Sequence, residues 1–161
     1  MSKVTTKKSI IASIETKIKL VSDEEFLAEL ETIGNYMITA LKSGNKILTA
    51  GNGGSAADAQ HFAAELAGKF IYERKGLPAM ALTANSSIVT AIGNDFGYEN
   101  VFSRQIEGFG RQGDVFVGIS TSGNSQNLIQ ACPSANTQHI QEAHIMIIHE
   151  LCSLIDVVFK N

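Results

Sequence analysis

The sequence predicts an α/β protein, a three-layer doubly wound parallel sheet preceded by helices and closed by one long C-terminal helix. Three observations predict it. A short apolar run, a small polar loop and a helical stretch follow one another three times, around 46–65, 79–93 and 114–130. The apolar runs are continuous rather than alternating, as in parallel strands covered on both faces. Stripes at helical spacing occupy both ends of the chain.

Taken in order, Val4, Ile11, Ile14, Ile18 and Val21 recur at helical spacing, and so do Phe26, Leu30, Ile33, Met37 and Leu41. Ser22-Asp23 separates these two helices as a cap, and Ser43-Gly44-Asn45 ends the second. Such a helical prelude serves either to cover one sheet face or to pack against other subunits. Strands are expected at 46–50, 79–82 and 114–119, the last apolar throughout and buried on both faces. Between the second and third strands, 88–93 reads as a helix, 93–97 as a loop and 98–109 as another helix. The closing helix is expected over 138–159 and carries His139, His144 and His149. Ile140, His144, Ile147, Leu151, Leu154 and Val158 form one stripe, and Ile145, Ile148, Cys152 and Ile155 a second. His144 falls within the first and reads as a packed histidine.

Composition narrows the function. The 161 residues suit one domain, 1–161, and 44% hydrophobic with 18% charged content is ordinary for a globular protein. A net charge of -3 without a basic stripe argues against nucleic acid as a partner. No run approaches a membrane span and the opening Met1-Ser2-Lys3-Val4 lacks a signal core, so the expected location is cytoplasmic. Cys132 and Cys152 form neither a metal pair nor a disulfide framework, and reduced thiols are expected.

The chemistry concentrates at Gly51-Asn52-Gly53-Gly54-Ser55-Ala56-Ala57-Asp58-Ala59-Gln60-His61-Phe62-Ala63-Ala64-Glu65. Glycines let a backbone approach a ligand, Ser55 suits an N-cap, and the helix start offers free N–H groups with a positive dipole end. That makes an anion site. His61 and Glu65, four apart, share a helix face and set a metal ligand or acid–base pair beside the anion. A dinucleotide fingerprint also fits Gly51, Gly53 and Ala56, but it needs an acidic residue about 20 positions on, where this chain has Thr83-Ala84-Asn85. No lysine follows the glycines as a nucleotide-binding P-loop requires, and a purely structural turn is the plainer rival. Ser120-Thr121-Ser122-Gly123-Asn124-Ser125 supplies four hydroxyls at another strand exit, suited to phosphate oxygens. Parallel sheets gather such loops at one edge, so phosphate binding rests on their convergence. Gln141 and His149 are eight apart, about 80° around a helix and ~12 Å along it, so a straight helix does not aim both at one atom.

These motifs, with Gly93-Asn94-Asp95-Phe96-Gly97 and Ile140-Gln141-Glu142-Ala143-His144, resemble the sugar isomerase (SIS) family, and within it the sedoheptulose 7-phosphate isomerases, over almost the whole chain. The resemblance implies a flavodoxin-like sheet and a cytoplasmic homotetramer. It implies conversion of sedoheptulose 7-phosphate to D-glycero-D-manno-heptose 7-phosphate, at the head of ADP-heptose and lipopolysaccharide core synthesis. It assigns substrate binding to Asn52, Gly53, Gly54, Ser55, Glu65, Asn94, Asp95, Ser120, Thr121, Ser122, Ser125 and Gln141. One zinc per subunit is implied at His61, Glu65, Gln141 and His149, with Glu65 and His149 moving protons. The chemistry agrees, because ketose–aldose isomerisation through an enediol needs a base, an acid and charge stabilisation at the oxygens. The alternative is a non-catalytic SIS protein that binds a phosphosugar or the bacterial replication initiator; the initiator-binding relatives lack the matches to Glu65 and His149. In one respect the chain departs from the family: between Gln130 and Pro133 about 30 residues, one βαβ unit, are missing. That shortfall puts the sheet edge and the placement of Gln141 and His149 in question.

Overall fold

The computed structural model of the chain describes residues 6–131 and 144–160. The leading stripes form α1 (Thr6–Val21) and α2 (Glu24–Lys42). Asp23 caps α2 by accepting the Phe26 N–H, and Glu24 and Glu25 complement the positive helix end. At the other end Gly44, at φ +80, turns the chain toward the sheet. Helix α2 buries Leu30, Met37 and Leu41, whereas Ile10, Ile11, Ile14, Ile18 and Val21 of α1 stay exposed.

Three parallel strands follow, β1 (Ile47–Gly51), β2 (Ala79–Ala81) and β3 (Val115–Ile119), in the order β2-β1-β3. Every residue of central β1 is buried. Because side chains alternate across a strand, Ile47 joins one apolar cluster while Leu48 and Ala50 join another. The first cluster lies under α2, α3 (Gly54–Ala67) and α7 (His144–Phe159), with Phe62, Leu66, Leu151 and Ile155 at its centre. The second lies under α4 (Ser86–Phe96), α5 (Ser103–Phe109) and α6 (Gln126–Ala131), around Leu82, Val101, Phe102 and Leu128. Helix, sheet and helix make the three expected layers. The chain passes from β1 to β2 and then back across to β3, so a topological switch point lies between the carboxyl ends of β1 and β3.

Several expectations are corrected. Strand β3 is half-buried with Gly118 exposed, not buried on both faces, because no strand among the described residues pairs with its outer edge. Gly93, Asn94, Asp95 and Phe96 lie inside α4 rather than in a loop. Asn85 caps that helix through the Ile88 N–H, and it continues until Gly97 at φ +88 stops it. The helix expected over 98–109 is a 3₁₀ turn, Tyr98–Asn100, followed by α5. The last helix begins, among the described residues, at His144, and Gln141 and the junction at 132–133 lie outside them.

Asp114 ties β1 to β3 at the edge opposite the switch point. Its carboxylate accepts the Lys46 N–H (2.9 Å) and the Arg111 N–H (2.7 Å) and pairs with Lys46 Nζ (2.6 Å). Burial pushes this carboxyl up, but the Lys46 side chain and the two backbone donors more than offset it, leaving it below its ordinary value. The buried carboxyl of Asp156 on α7 is likewise pushed up by burial and brought below its ordinary value by the Tyr72 N–H, Arg74 and the Ile71 N–H. Both groups therefore bind protons less readily folded than unfolded. Their stabilisation is complete above the unfolded carboxyl value of about 4 and is lost as pH falls through the lower folded values. Urea midpoints between pH 7 and pH 3 are expected to stay level and then fall below about pH 4. Asp114→Asn is expected to be less stable at pH 7 and to show a shallower acid slope; an unchanged slope would remove Asp114 from the account.

Candidate active site

The site is assembled at the switch point. Gly51 ends β1 with no room for a side chain, since a Cβ there would meet the Ser55 carbonyl oxygen at 2.3 Å. Gly53, at φ +57, turns the backbone into α3 and occupies the N-cap position. The N-cap expected at Ser55 is thus corrected: Ser55 lies buried in the first turn and its N–H returns to the Asn52 carbonyl (3.0 Å). A positive φ is needed at that cap, and glycine meets it without strain. No described residue lies within 4 Å of where a Cβ on Gly53 or Gly54 would stand, so among the described residues the space above the helix start is open. An anion fits there, against the first-turn N–H groups.

Asn52, expected to bind substrate, has a bracing part in the loop. Its amide and that of Asn127 on α6 exchange two hydrogen bonds of 2.9 Å each, and the Tyr98 hydroxyl donates to Asn52 Oδ1 at 3.1 Å. The side chain clips the glycine loop to α6 and to the turn after α4. Asn94 and Asp95 sit on the last turn of α4, with Asn94 Nδ2 bonded to Asp95 Oδ1 (2.7 Å). Across the switch point, the hydroxyls of Ser120 and Ser125 meet at 3.1 Å, and Ser120 Oγ accepts the Gly123 N–H. Ser122 Oγ accepts the Asn124 N–H, and Thr121 and Ser122 are exposed. The loop is therefore braced internally with Thr121 outermost.

Two turns into α3, the expected pair forms and gains a third member from α7. His61 Nε2 stands 3.6 Å from Glu65 Oε1 and 3.0 Å from His149 Nε2. The His149 ring packs against those of His61 and Phe70, with centroids 5.3 and 5.2 Å away. Two imidazole nitrogens facing each other at 3.0 Å cannot both carry a proton, so the pair shares one proton or faces one cation. Nitrogen, nitrogen and carboxylate oxygen are donor types that zinc accepts. Among the described residues, however, no group of three His, Cys, Asp or Glu is arranged to hold a metal ion. The fit is one of donor chemistry, and Gln141 lies outside the described residues.

A buried ion pair stands behind these three side chains. Arg74 Nε meets Asp156 Oδ1 at 2.5 Å, and Asp156 Oδ2 accepts the N–H groups of Ile71 (2.8 Å) and Tyr72 (2.9 Å). The rest of the guanidinium donates to the carbonyls of Glu65 and Leu66 (2.8 Å each) and Gly68 (3.2 Å), which close the end of α3. Sequence reasoning passed over Phe70, Arg74, Tyr98, Asn127 and Asp156. Asp156 had a signal: it extends the Ile148 and Cys152 stripe by four, a charge on a face otherwise apolar. Cys152 itself is buried and free, its thiol pushed up to about 12, mainly by burial, and is inert as a nucleophile.

A family profile described as "SIS domain" matches residues 11–142. The phosphoheptose isomerase of Aneurinibacillus thermoaerophilus is 44% identical over 187 positions, covering 96% of this chain and 94% of its own. That of Clostridium acetobutylicum is 43% identical, covering 91% of each. The chain belongs to the phosphoheptose isomerase family of SIS-domain proteins. The solved phosphoheptose isomerase of Neisseria gonorrhoeae superposes with a TM-score of 0.78 at 37% identity, covering 95% of this chain and all of that one. The Francisella tularensis structure reaches 0.86 at 29% identity, covering 98% and 100%. The first alignment uses 187 positions to cross 96% of 161 residues, about 155, so that relative carries about 32 positions without a counterpart here.

Proposed function

We infer that this chain is an aldose–ketose isomerase that interconverts sedoheptulose 7-phosphate and D-glycero-D-manno-heptose 7-phosphate. The observation that carries it is the meeting of His61, Glu65 and His149 beside an open glycine loop, in a chain of this family. The phosphate lies against the first turn of α3 and the hydroxyls of 120–125, which places the carbonyl end of the sugar toward the His61 face. Glu65 takes the proton from one carbon to give the enediol and returns it to its neighbour, while His149 passes a proton between the two oxygens. Neither step needs solvent, and the same two groups serve both directions.

We propose further that zinc is held by His61, Glu65 and His149 with Gln141. When bound, such an ion polarises the sugar carbonyl and steadies the enediolate charge. A carboxylate held on zinc is a weaker base, so Glu65 acts as ligand and as base at different moments. Protein purified without chelators is expected to carry about one zinc per subunit, and His61→Ala to carry none. Finding no zinc in the parent, with no gain in thermal midpoint on adding it, would reject the ion.

The reading includes a homotetramer and a cytoplasmic place at the head of heptose synthesis for lipopolysaccharide. Support for self-association comes from α1, whose isoleucines at 10, 11, 14 and 18 are each more than 40% exposed, an apolar ridge that no other described residues cover. No described helix is long and apolar enough to cross a membrane. Ile14→Asp with Ile18→Asp is expected to reduce the mass seen by light scattering to that of a dimer or monomer. A tetramer that survives both changes would exclude this face.

The activity itself is tested at Glu65. Glu65→Gln is expected to lower turnover of sedoheptulose 7-phosphate by ~10³-fold or more while leaving sugar-phosphate binding within a few-fold, because the loops are untouched. Parent-like turnover in that variant would take Glu65 out of the mechanism. A parent that binds the sugar phosphate without isomerising it would favour the non-catalytic reading.

A further inference from the structure

The isomerase chemistry uses Glu65 and His149 but says nothing about what holds them together, since they lie on separate helices far apart in the chain. Helix α7 reaches α3 through an apolar seam that includes Phe62, Leu66, Ile148 and Cys152. Apolar seams fix the distance between two helices well and their axial register poorly, because side chains of similar size can interdigitate one turn out of step. A directional contact is needed to choose one register.

The Arg74–Asp156 pair has the geometry to choose it. Asp156 follows His149 by seven residues, so the two lie on one face of α7, two turns apart. At the other end of the contact, Arg74 grips the carbonyl of Glu65 itself, with those of Leu66 and Gly68. The Asp156 carboxylate also fastens the N–H groups of Ile71 and Tyr72, and their neighbour Phe70 packs on the His149 ring. From the Glu65 backbone to the His149 imidazole there is one continuous line of polar and ring contacts. Both ionic side chains are out of solvent, Asp156 at 0% and Arg74 at 1% exposure. A buried ion pair is a poor means of gaining stability, since apolar residues of like volume often do better, but it is an effective means of fixing a register.

We propose that Arg74 and Asp156 are positioning residues that set α7 against α3 so that His149 meets His61 and Glu65. Neither touches substrate. The inference rests on the isomerase reading for its kinetic consequence but not for its structural one, and each has its own readout. Asp156→Asn keeps the size and an acceptor for the Ile71 and Tyr72 N–H groups while losing the charge that orients Arg74. Its kcat is expected to fall ~10-fold or more with KM within about twofold, because the phosphate loops do not depend on the pair. Arg74→Lys, which keeps the charge and loses the fork, is expected to act the same way. Histidine side-chain nitrogen spectra should lose the signature of the His61–His149 contact in both variants.

The paired change Arg74→Met with Asp156→Leu covers the case in which a single change fails to fold, since it leaves no buried charge alone. It is expected to fold with a lower melting temperature than the parent, because the carbonyls of Glu65 and Leu66 and the N–H groups of Ile71 and Tyr72 lose their partners, and to lose kcat. Parent-like kcat and parent-like histidine spectra in any folded variant overturn the proposal. A parent that does not isomerise the heptose phosphate, with spectra that still change in the variants, upholds the positioning role and overturns the isomerase reading instead.

Discussion

The site depends on the packing of α7 against α3. Glu65 and His61 are neighbours by the pitch of one helix and need no tertiary structure to meet. His149 arrives from 84 residues beyond Glu65, and it does so through a seam of Ile148, Leu151, Cys152 and Ile155 against Phe62 and Leu66. That seam belongs to the largest apolar cluster of the molecule, the one that also holds α2 to the sheet. The three side chains are thus mounted on helices packed in the core, where an ångström of slack costs a proposed catalytic geometry more than it costs stability. The two polar loops are mounted differently: they lie on strand exits and are braced by side-chain hydrogen bonds, Ser120 to Ser125 and Asn52 to Asn127.

Neither strand-exit loop, 51–55 or 120–125, contains a lysine or an arginine. What these loops offer an anion is N–H groups, hydroxyls and a helix dipole, which are directional and carry no full charge.

How much of this was legible follows from which interactions are local. The Asp23 and Gly44 boundaries, the three strands and the His61–Glu65 pair are set by residues a few positions apart, and periodicity and turn chemistry find them. The error at Ser55 was also local: a serine suits a cap in general, but this turn needs a positive φ, and the cap moved to Gly53. Asn94 and Asp95 were placed in a loop because asparagine, aspartate and glycine cluster there. One good cap at Asn85 carried the helix through them. Asn127, Tyr98 and Arg74 act across 46 to 82 residues, and no spacing rule reaches that far. Asp156 was the exception, since a carboxylate inside an apolar stripe announces a buried partner without saying which.

The same division between local and long-range contacts bears on the shortfall against the relatives. A gap of about 32 positions relative to the Aneurinibacillus enzyme lies before α7, yet His149 still stands 3.0 Å from His61, and the reason is where the supports lie. The glycine loop, the serine loop and the 3₁₀ turn bearing Tyr98 are all complete by Ala131, and α7 docks on α2 and α3, which stand at the start of the chain. Among the described residues, no contact that brings His149 to His61 passes through a further strand. Further pairing would cover the outer edge of β3, where Val115, Phe116 and Val117 are only half-buried, and so would add to the stability of the sheet. The constellation at the switch point depends on β1, the most buried strand, and on the α3–α7 seam beside it.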